Sequence, residues 1–429
     1  MNGGNVSVIP PAPQRRPARF ADATRARDVA LAFDLRRLPA EYYVNPYPTY
    51  HALREYSPVH RLPDGGYFVS RYADCVALYK DTSAFSSDKK QEFAPKYGHS
   101  LLYEHHTTSL VFNDPPLHTR VRRIIAGAFT PRAITDMEVP VTRLVDGLVE
   151  AMAAKGSADL ITDFAAAVPV EVIGDLLGVP RDERGPLRAW SLAILGALEP
   201  VLSDTQRERG EEAVAGFLSY LVRLVADRRA HPGDPARDVL TRLIVGESDG
   251  DRLSEPELLH NVIFILNAGH ETTTNLIGNS LFALLEWPEE KARLLAEPAL
   301  IRPAVEELLR FESSNQLGNR VTTRPVALGG LAMPADTFVT IGIGAANRDP
   351  AEFPDPDRLD IARAPNRHLT FGSGAHVCAG LNVARLEGRI AIGRFLAHFP
   401  AYRLSGEPVR GGRARFRAFF RCLSTLRDG

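Results

Sequence analysis

The chain has 429 residues, 45% of them apolar and 24% charged, with a formal net charge of -1. That balance is ordinary for a soluble globular protein and gives no global attraction to nucleic acid or to an anionic membrane surface. Its three cysteines, Cys75, Cys378 and Cys422, are too widely spaced for a disulfide framework or a paired C-x-x-C motif, so a reducing cytoplasm is the expected compartment.

The first 31 residues interleave Pro10, Pro11, Pro13 and Pro17 with Arg15, Arg16, Arg19, Arg25 and Arg27. They contain no apolar run long enough for a signal-peptide core or a membrane anchor, and their composition predicts a disordered tail over 1–31. With no later shift in composition, 32–429 is expected to form one large domain. A short helix is predicted around Tyr50 to Glu55, followed by a hairpin turning at Asp64-Gly65-Gly66. Residues 83–111 are polar and read as a long irregular loop, either a lid over a pocket or a solvated connection. Apolar residues at three- and four-residue spacing predict helices over about 134–152, 160–177, 209–229 and 235–245. Short strands are expected at 326–328 and 337–341. The fold class is therefore mostly α with a minor β portion, one helix-rich domain with small sheets.

A longer helix is predicted from about 255 to 286, opened by the capping-box pair Ser254 and Glu257 and closed at Trp287-Pro288. Its front half is apolar nearly all round, which marks a helix buried in a large core. It then runs into Ala268-Gly269-His270-Glu271-Thr272-Thr273-Thr274, a poor helix interior on propensity alone. Small residues there leave room for something flat, and an acid beside an alcohol is able to relay protons. The same residues are also readable as a tolerated polar patch, with Thr272 bonded back to its own helix.

Three further clusters are weak when taken singly. Glu307 and Arg310 share a helical face, as many surface pairs do. Residues 348–360 are dense in proline and charge and include Arg358, a candidate third member of that pair. His118 and Arg122, four apart after Asp114-Pro115-Pro116, form a solvated face unless an anion lies against them. The last cluster is the most specific: Phe371-Gly372-Ser373-Gly374-Ala375-His376-Val377-Cys378-Ala379-Gly380 sets one cysteine in a glycine-rich turn just before a helical pattern. Such a turn permits close backbone approach, and a helix N-terminus favours a thiolate.

In their order and spacing these motifs strongly resemble the cytochrome P450 family, the haem-thiolate monooxygenases, from about Pro48 to the C-terminus. The resemblance implies haem b with Cys378 as its axial iron ligand. Phe371, Gly372, His376 and Gly380 would shape the ligand loop, and Ala268 and Gly269 would leave room over the ring. His118, Arg122, Arg320 and His368 would meet the propionates, while Glu271 and Thr272 would deliver protons to dioxygen as catalytic residues. The implied reaction inserts one oxygen atom into a lipophilic small molecule, by hydroxylation or epoxidation. Fatty-acid, terpenoid and polyketide or aromatic classes all stay open. A ferredoxin or flavodoxin with its reductase would supply electrons to a soluble, monomeric enzyme that has no nucleic-acid partner. That partner would dock on the face behind Cys378, near Arg122, Arg123 and Arg385. His270 sits at a variable position and is expected to hydrogen-bond within the protein. Substrate contacts are expected from 86–112, 192–202, Ile265, Ala268, Leu317 and Phe419-Phe420, with Asn315 and Gln316 as hydrogen-bonding or capping residues. A different class of function, a non-catalytic haem carrier or scaffold on the same fold, would have no use for the Glu271–Thr272 pair.

Overall fold

The computed structural model describes residues 13–426, apart from 128, 236–237 and 249–250. Its axis is the Glu255–Glu286 helix, which at ~1.5 Å per residue runs for about 48 Å. The expected capping box is present: the Ser254 N–H donates to Glu257 Oε2 at 2.8 Å, and the Glu257 N–H donates back to Ser254 Oγ at 3.4 Å. Most of this helix is buried, packed against the Ala167–Leu176, Leu187–Gly196 and Leu381–His398 helices. Some of its buried polar residues are satisfied there by hydrogen bonds. Asn261 accepts from the Leu110 N–H and donates to the Glu257 carbonyl, and Asn279 donates to the Arg417 carbonyl.

A five-stranded sheet lies to one side, in the order Val59–Arg61, Tyr67–Val69, Phe338–Gly342, Leu317–Thr322, Phe85–Ser86. The expected hairpin pairs Val59 with Val69, and its turn places Gly65 at a φ of 88°. Val339 pairs in parallel with Tyr67 and antiparallel with Arg320. That register carries Arg320 to the rim of the central cavity. A smaller sheet joins Arg403–Leu404, Leu423–Thr425 and Ser157–Asp159. No helix among the described residues is long and apolar enough to cross a membrane.

Two expectations fail here. Residues 83–111 contain the helices Lys90–Tyr97 and Leu101–Thr108 rather than an irregular loop. The second helix is capped by Ser100, and by the Glu211 carboxylate, which accepts the N–H groups of Leu101 and Leu102. Glu211 comes from more than a hundred residues away, a cap that local pattern does not reveal. The expected tail is also ordered wherever it is described. Ala23–Leu31 is a helix, and Arg16 reaches into the body to pair with Glu286 at 2.6 Å and Glu312 at 2.8 Å. Composition favoured disorder, but buried carboxylates elsewhere in the chain recruit the arginine. Residues 1–12 of that tail lie outside the described residues.

Candidate active site

The Cys378 loop is held from both ends. The Cys378 N–H donates to the Phe371 carbonyl at 2.9 Å, and the Gly372 N–H donates to the Leu369 carbonyl at 2.8 Å. Gly372 and Gly374 have φ values of 70° and 69°, and a Cβ on Gly374 would overlap the Tyr79 carbonyl oxygen. Only glycine fits that turn. The loop is anchored to the helix Ile301–Phe311 by Thr370, which donates to the Leu309 carbonyl, and to the following segment by Asn347, whose Oδ1 accepts the Leu369 N–H.

Behind it lies a fully buried ion network. Arg310 donates from Nε and Nη2 to the two Glu307 oxygens, each at 2.7 Å. Arg363, and not Arg358, is the third member, with its Nε 3.1 Å from both carboxylate oxygens. Arg358 supplies only its backbone carbonyl, which accepts from Arg310 and Arg363. The turn over 354–363 points the Arg363 side chain inward, a reversal that residue spacing alone does not encode.

Cys378 is half-buried at the wall of a cavity with about 2070 Å³ of space unfilled by protein, part of it open to solvent. Burial holds the thiol above its ordinary pKa, while the Gly380 N–H and then Arg122 and Arg385 pull in the opposite direction. The cavity brings together Cys378, Phe371, Gly372, His376, Gly380, Ala268, Gly269, Thr272, His118, Arg122 and Arg320. Two expected site residues do not line it. His368 turns away, with Nε2 3.2 Å from Glu306 Oε2, so it braces a carboxylate outside the cavity. Glu271 is buried behind the wall, where Arg413 donates to its Oε1 at 2.5 Å and Oε2 has no partner.

The cavity's donors fit a flat dianion. His118, Arg122, Arg320 and His376 share one rim, with the rings of His118 and His376 only 3.9 Å apart. His118 Nε2, His376 Nε2 and Arg320 Nε are buried without partners. Desolvation, followed by the fields of Arg320, His118 and Arg122, drives the His376 pKa down to about 3. Crowded cations with unused donors call for anionic acceptors, and two propionates supply them.

The oxygen-side groups divide into two roles. The Thr272 hydroxyl donates to the Ala268 carbonyl at 2.7 Å, so its own helix takes its proton and its free lone pairs remain as acceptors. Glu271 is raised to about 7, because burial outweighs the pull of Arg413. His270 departs from expectation: it is buried, neither ring nitrogen has a hydrogen-bond partner, and desolvation lowers it to about 3. Of the arginines expected to meet a redox partner, Arg385 is held by Glu306 at 2.7 Å and Arg122 lines the cavity.

Sequence reasoning missed Arg415, Phe416 and Glu387, which line the cavity, whereas Lys89, which also lines it, falls within the expected 86–112 segment. Phe416 takes the place expected for Phe419-Phe420; Phe419 instead packs on Phe282, and Phe420 is exposed. Asn315 lines the cavity, whereas Gln316 donates to the Ser313 carbonyl. The available signal for Glu387 was an acid on the buried face of the Leu381–His398 helix; burial raises it to about 8.

A helix-rich body, a cysteine held at the wall of a cavity and a cationic rim around it fit a thiolate-ligated haem protein. The family model "Cytochrome P450" matches residues 189–408. Vitamin D(3) 25-hydroxylase of Pseudonocardia autotrophica is 39% identical over 85% of this chain and 89% of that protein. Cytochrome P450 monooxygenase PikC of Streptomyces venezuelae is 38% identical over 87% of this chain and 89% of its own. Among solved structures, P450BioI in complex with hexadec-9Z-enoic acid ligated acyl carrier protein superposes with a TM-score of 0.86, at 33% identity, covering 90% of this chain and 100% of that one. The chain belongs to the cytochrome P450 family. It is a monooxygenase that uses a thiolate-held haem, dioxygen and electrons from a redox partner.

Proposed function

We propose that Cys378 ligates the iron of haem b, that His118, Arg122, Arg320 and His376 hold its propionates, and that Glu271 and Thr272 manage protons on the opposite side. The observation that carries this reading is the single cavity whose wall holds Cys378 and whose rim holds His118, Arg122, Arg320 and His376, three of which, His118, Arg320 and His376, bury a nitrogen without a partner. Bound haem supplies the activation of dioxygen, one atom going into a C–H or C=C bond of the substrate and the other leaving as water, with two electrons and two protons consumed. Within the chain, Thr272 accepts a hydrogen bond at Oγ1 and orients the donor, because its own proton is committed to Ala268. Glu271, poised near neutrality, holds and releases a proton at Oε2, and Arg413 fixes the carboxyl through Oε1. A carrier or scaffold would gain nothing from this arrangement.

The substrate is a lipophilic small molecule of the fatty-acid, terpenoid or polyketide/aromatic natural-product class. Apolar cavity walls such as Ile265, Leu198, Val172 and Phe264 support this, as do relatives named for vitamin D(3) hydroxylation and polyketide biosynthesis. The electron donor is a ferredoxin or flavodoxin with its reductase, approaching from behind Cys378. The enzyme works as a monomer in the cytoplasm, in keeping with its unpaired Cys75 and Cys422. Two variants test the site. Cys378→Ala should abolish the thiolate-type carbon monoxide difference spectrum. Thr272→Ala should still bind carbon monoxide as a thiolate-ligated haem but divert reducing equivalents to peroxide; full coupling to product would overturn the role given to Thr272.

A further inference from the structure

The same cavity carries further cations besides those assigned to the propionates. Arg415 lines it, and its guanidinium donates from Nε to the Leu198 carbonyl and from Nη1 to the Leu317 carbonyl, each at 3.0 Å, with no carboxylate in ion-pair range among the described residues. Lys89 also lines it, with a side chain only 1% exposed. Its Nζ lies 3.1 Å from Glu92 Oε2 but makes no well-directed hydrogen bond. Ser314 adds a buried hydroxyl without a partner. An ammonium and a hydroxyl with unused donors, beside a guanidinium bonded only to carbonyls, are expensive to bury unless something fills them.

The surroundings leave a positive surplus. Lys96 lies beside this group, donating to the Glu199 carbonyl, and Glu199 Oε2 accepts the backbone N–H groups of Ala414 and Arg415. Lys89, Lys96 and Arg415 thus face Glu92 and Glu199, three cations against two carboxylates. Desolvation together with Arg415 brings Lys96 down to about 8, and desolvation followed by Lys96 and Arg415 brings His106 down to about 3. One added negative charge would relieve both. The field of Arg415 falls on Lys89, Lys96 and His106, and that of Arg320 also reaches Lys89.

We propose that this second group is a substrate-anion seat: the molecule oxidised is an apolar monocarboxylate, its acid group held by Arg415, Lys89 and Ser314. This rests on the haem-thiolate reading and names the substrate class it leaves open. With the acid at the seat, the apolar body runs along the walls near Leu198 and Ile265 towards Cys378. Oxidation then falls on carbons remote from the carboxylate.

The test uses the purified ferric holoenzyme and matched pairs of ligands: hexadecanoic acid, a resin-type diterpene acid and an aromatic carboxylic acid, each beside its methyl ester. Binding is read as the low-to-high-spin shift of the Soret band. At least one acid should bind about ten-fold or more tightly than its ester, the scale of a charge-assisted hydrogen bond. Arg415→Gln should erase that preference while leaving ester affinity and haem content intact, and Arg415→Lys should restore part of it. Equal binding of every acid and ester, absence of acid binding throughout the panel, equal weakening of both ligands by Arg415→Gln, or loss of haem from that variant would each overturn the seat. The carbon monoxide spectrum of the wild type reports separately on the thiolate, so failure of the seat and failure of the haem-thiolate reading are distinguishable.

Discussion

Replacing Glu271 by glutamine isolates one buried proton. In the native chain its carboxyl is enclosed beneath the cavity wall, and burial lifts it from 4.5 to about 7 against the pull of Arg413. At ~1.4 kcal/mol per unit, that displacement corresponds to roughly 3 kcal/mol. The folded state holds this proton more tightly than the unfolded state does. The associated stability is therefore present in full below about pH 4.5 and is lost as pH rises through about 7. Glutamine cannot ionise, and its unpaired neighbour Arg413 adds only an offset that does not vary with pH over this range. Denaturant unfolding of wild type and Glu271→Gln, both haem-loaded, from about pH 5 to about pH 8.5 should show their difference moving against the wild type by most of that amount. A flat difference, as expected for an exposed carboxyl, would refute the buried-proton argument. Turnover should carry the same signature. The wild-type rate should fall above about pH 7 as the acid empties, and the variant should lack that limb.

Glu307→Gln should cost about 3–5 kcal/mol, because Arg310 would keep its charge in a fully buried site without its carboxylate. Since the same network anchors the segment leading to Cys378, haem content should fall with stability, and an absorbance ratio alongside an unfolding curve reads both. Arg16→Ala should destabilise the fold by about 3 kcal/mol, because it withdraws a cation from the buried carboxylates of Glu286 and Glu312. Denaturant unfolding measures this, and a change under about 0.5 kcal/mol would show that the N-terminal segment merely rests on the surface.

The parts legible from sequence are those whose physics is local. The capping box announces the Glu255–Glu286 helix, glycines at positive φ announce the Cys378 turn, and alternation around Asp64-Gly65-Gly66 announces the hairpin. The parts that were missed depend on partners distant in the chain. Glu211 caps the Leu101–Thr108 helix, Glu306 turns His368 away from the cavity, and Arg363 displaces Arg358 at Glu307. For His368 and Arg358 a residue of the right type stood at a plausible spacing, and contacts with distant residues decided which side chain met the carboxylate. Arg16 was missed for a related reason: a tail rich in proline and arginine has no core of its own, but it borrows one where buried acids await it.

The least expected organisation lies in residues 413–417. This short stretch is pinned against 314–316, since the Gln316 N–H donates to the Arg415 carbonyl and the Arg417 N–H donates to the Ser314 carbonyl. Its three arginines reach three different places. Arg413 binds Glu271 and the Leu192 carbonyl, Arg415 lines the cavity, and Arg417 binds Glu312 at 2.6 Å beside Arg16. The partner of Glu271, a wall of the cavity and a brace for the N-terminal segment are therefore carried by one short stretch of chain. Packed interiors shift as units rather than deforming smoothly. Arg413 and Arg415 are two residues apart on this pinned stretch, so the partner of Glu271 and a wall of the cavity share one backbone support.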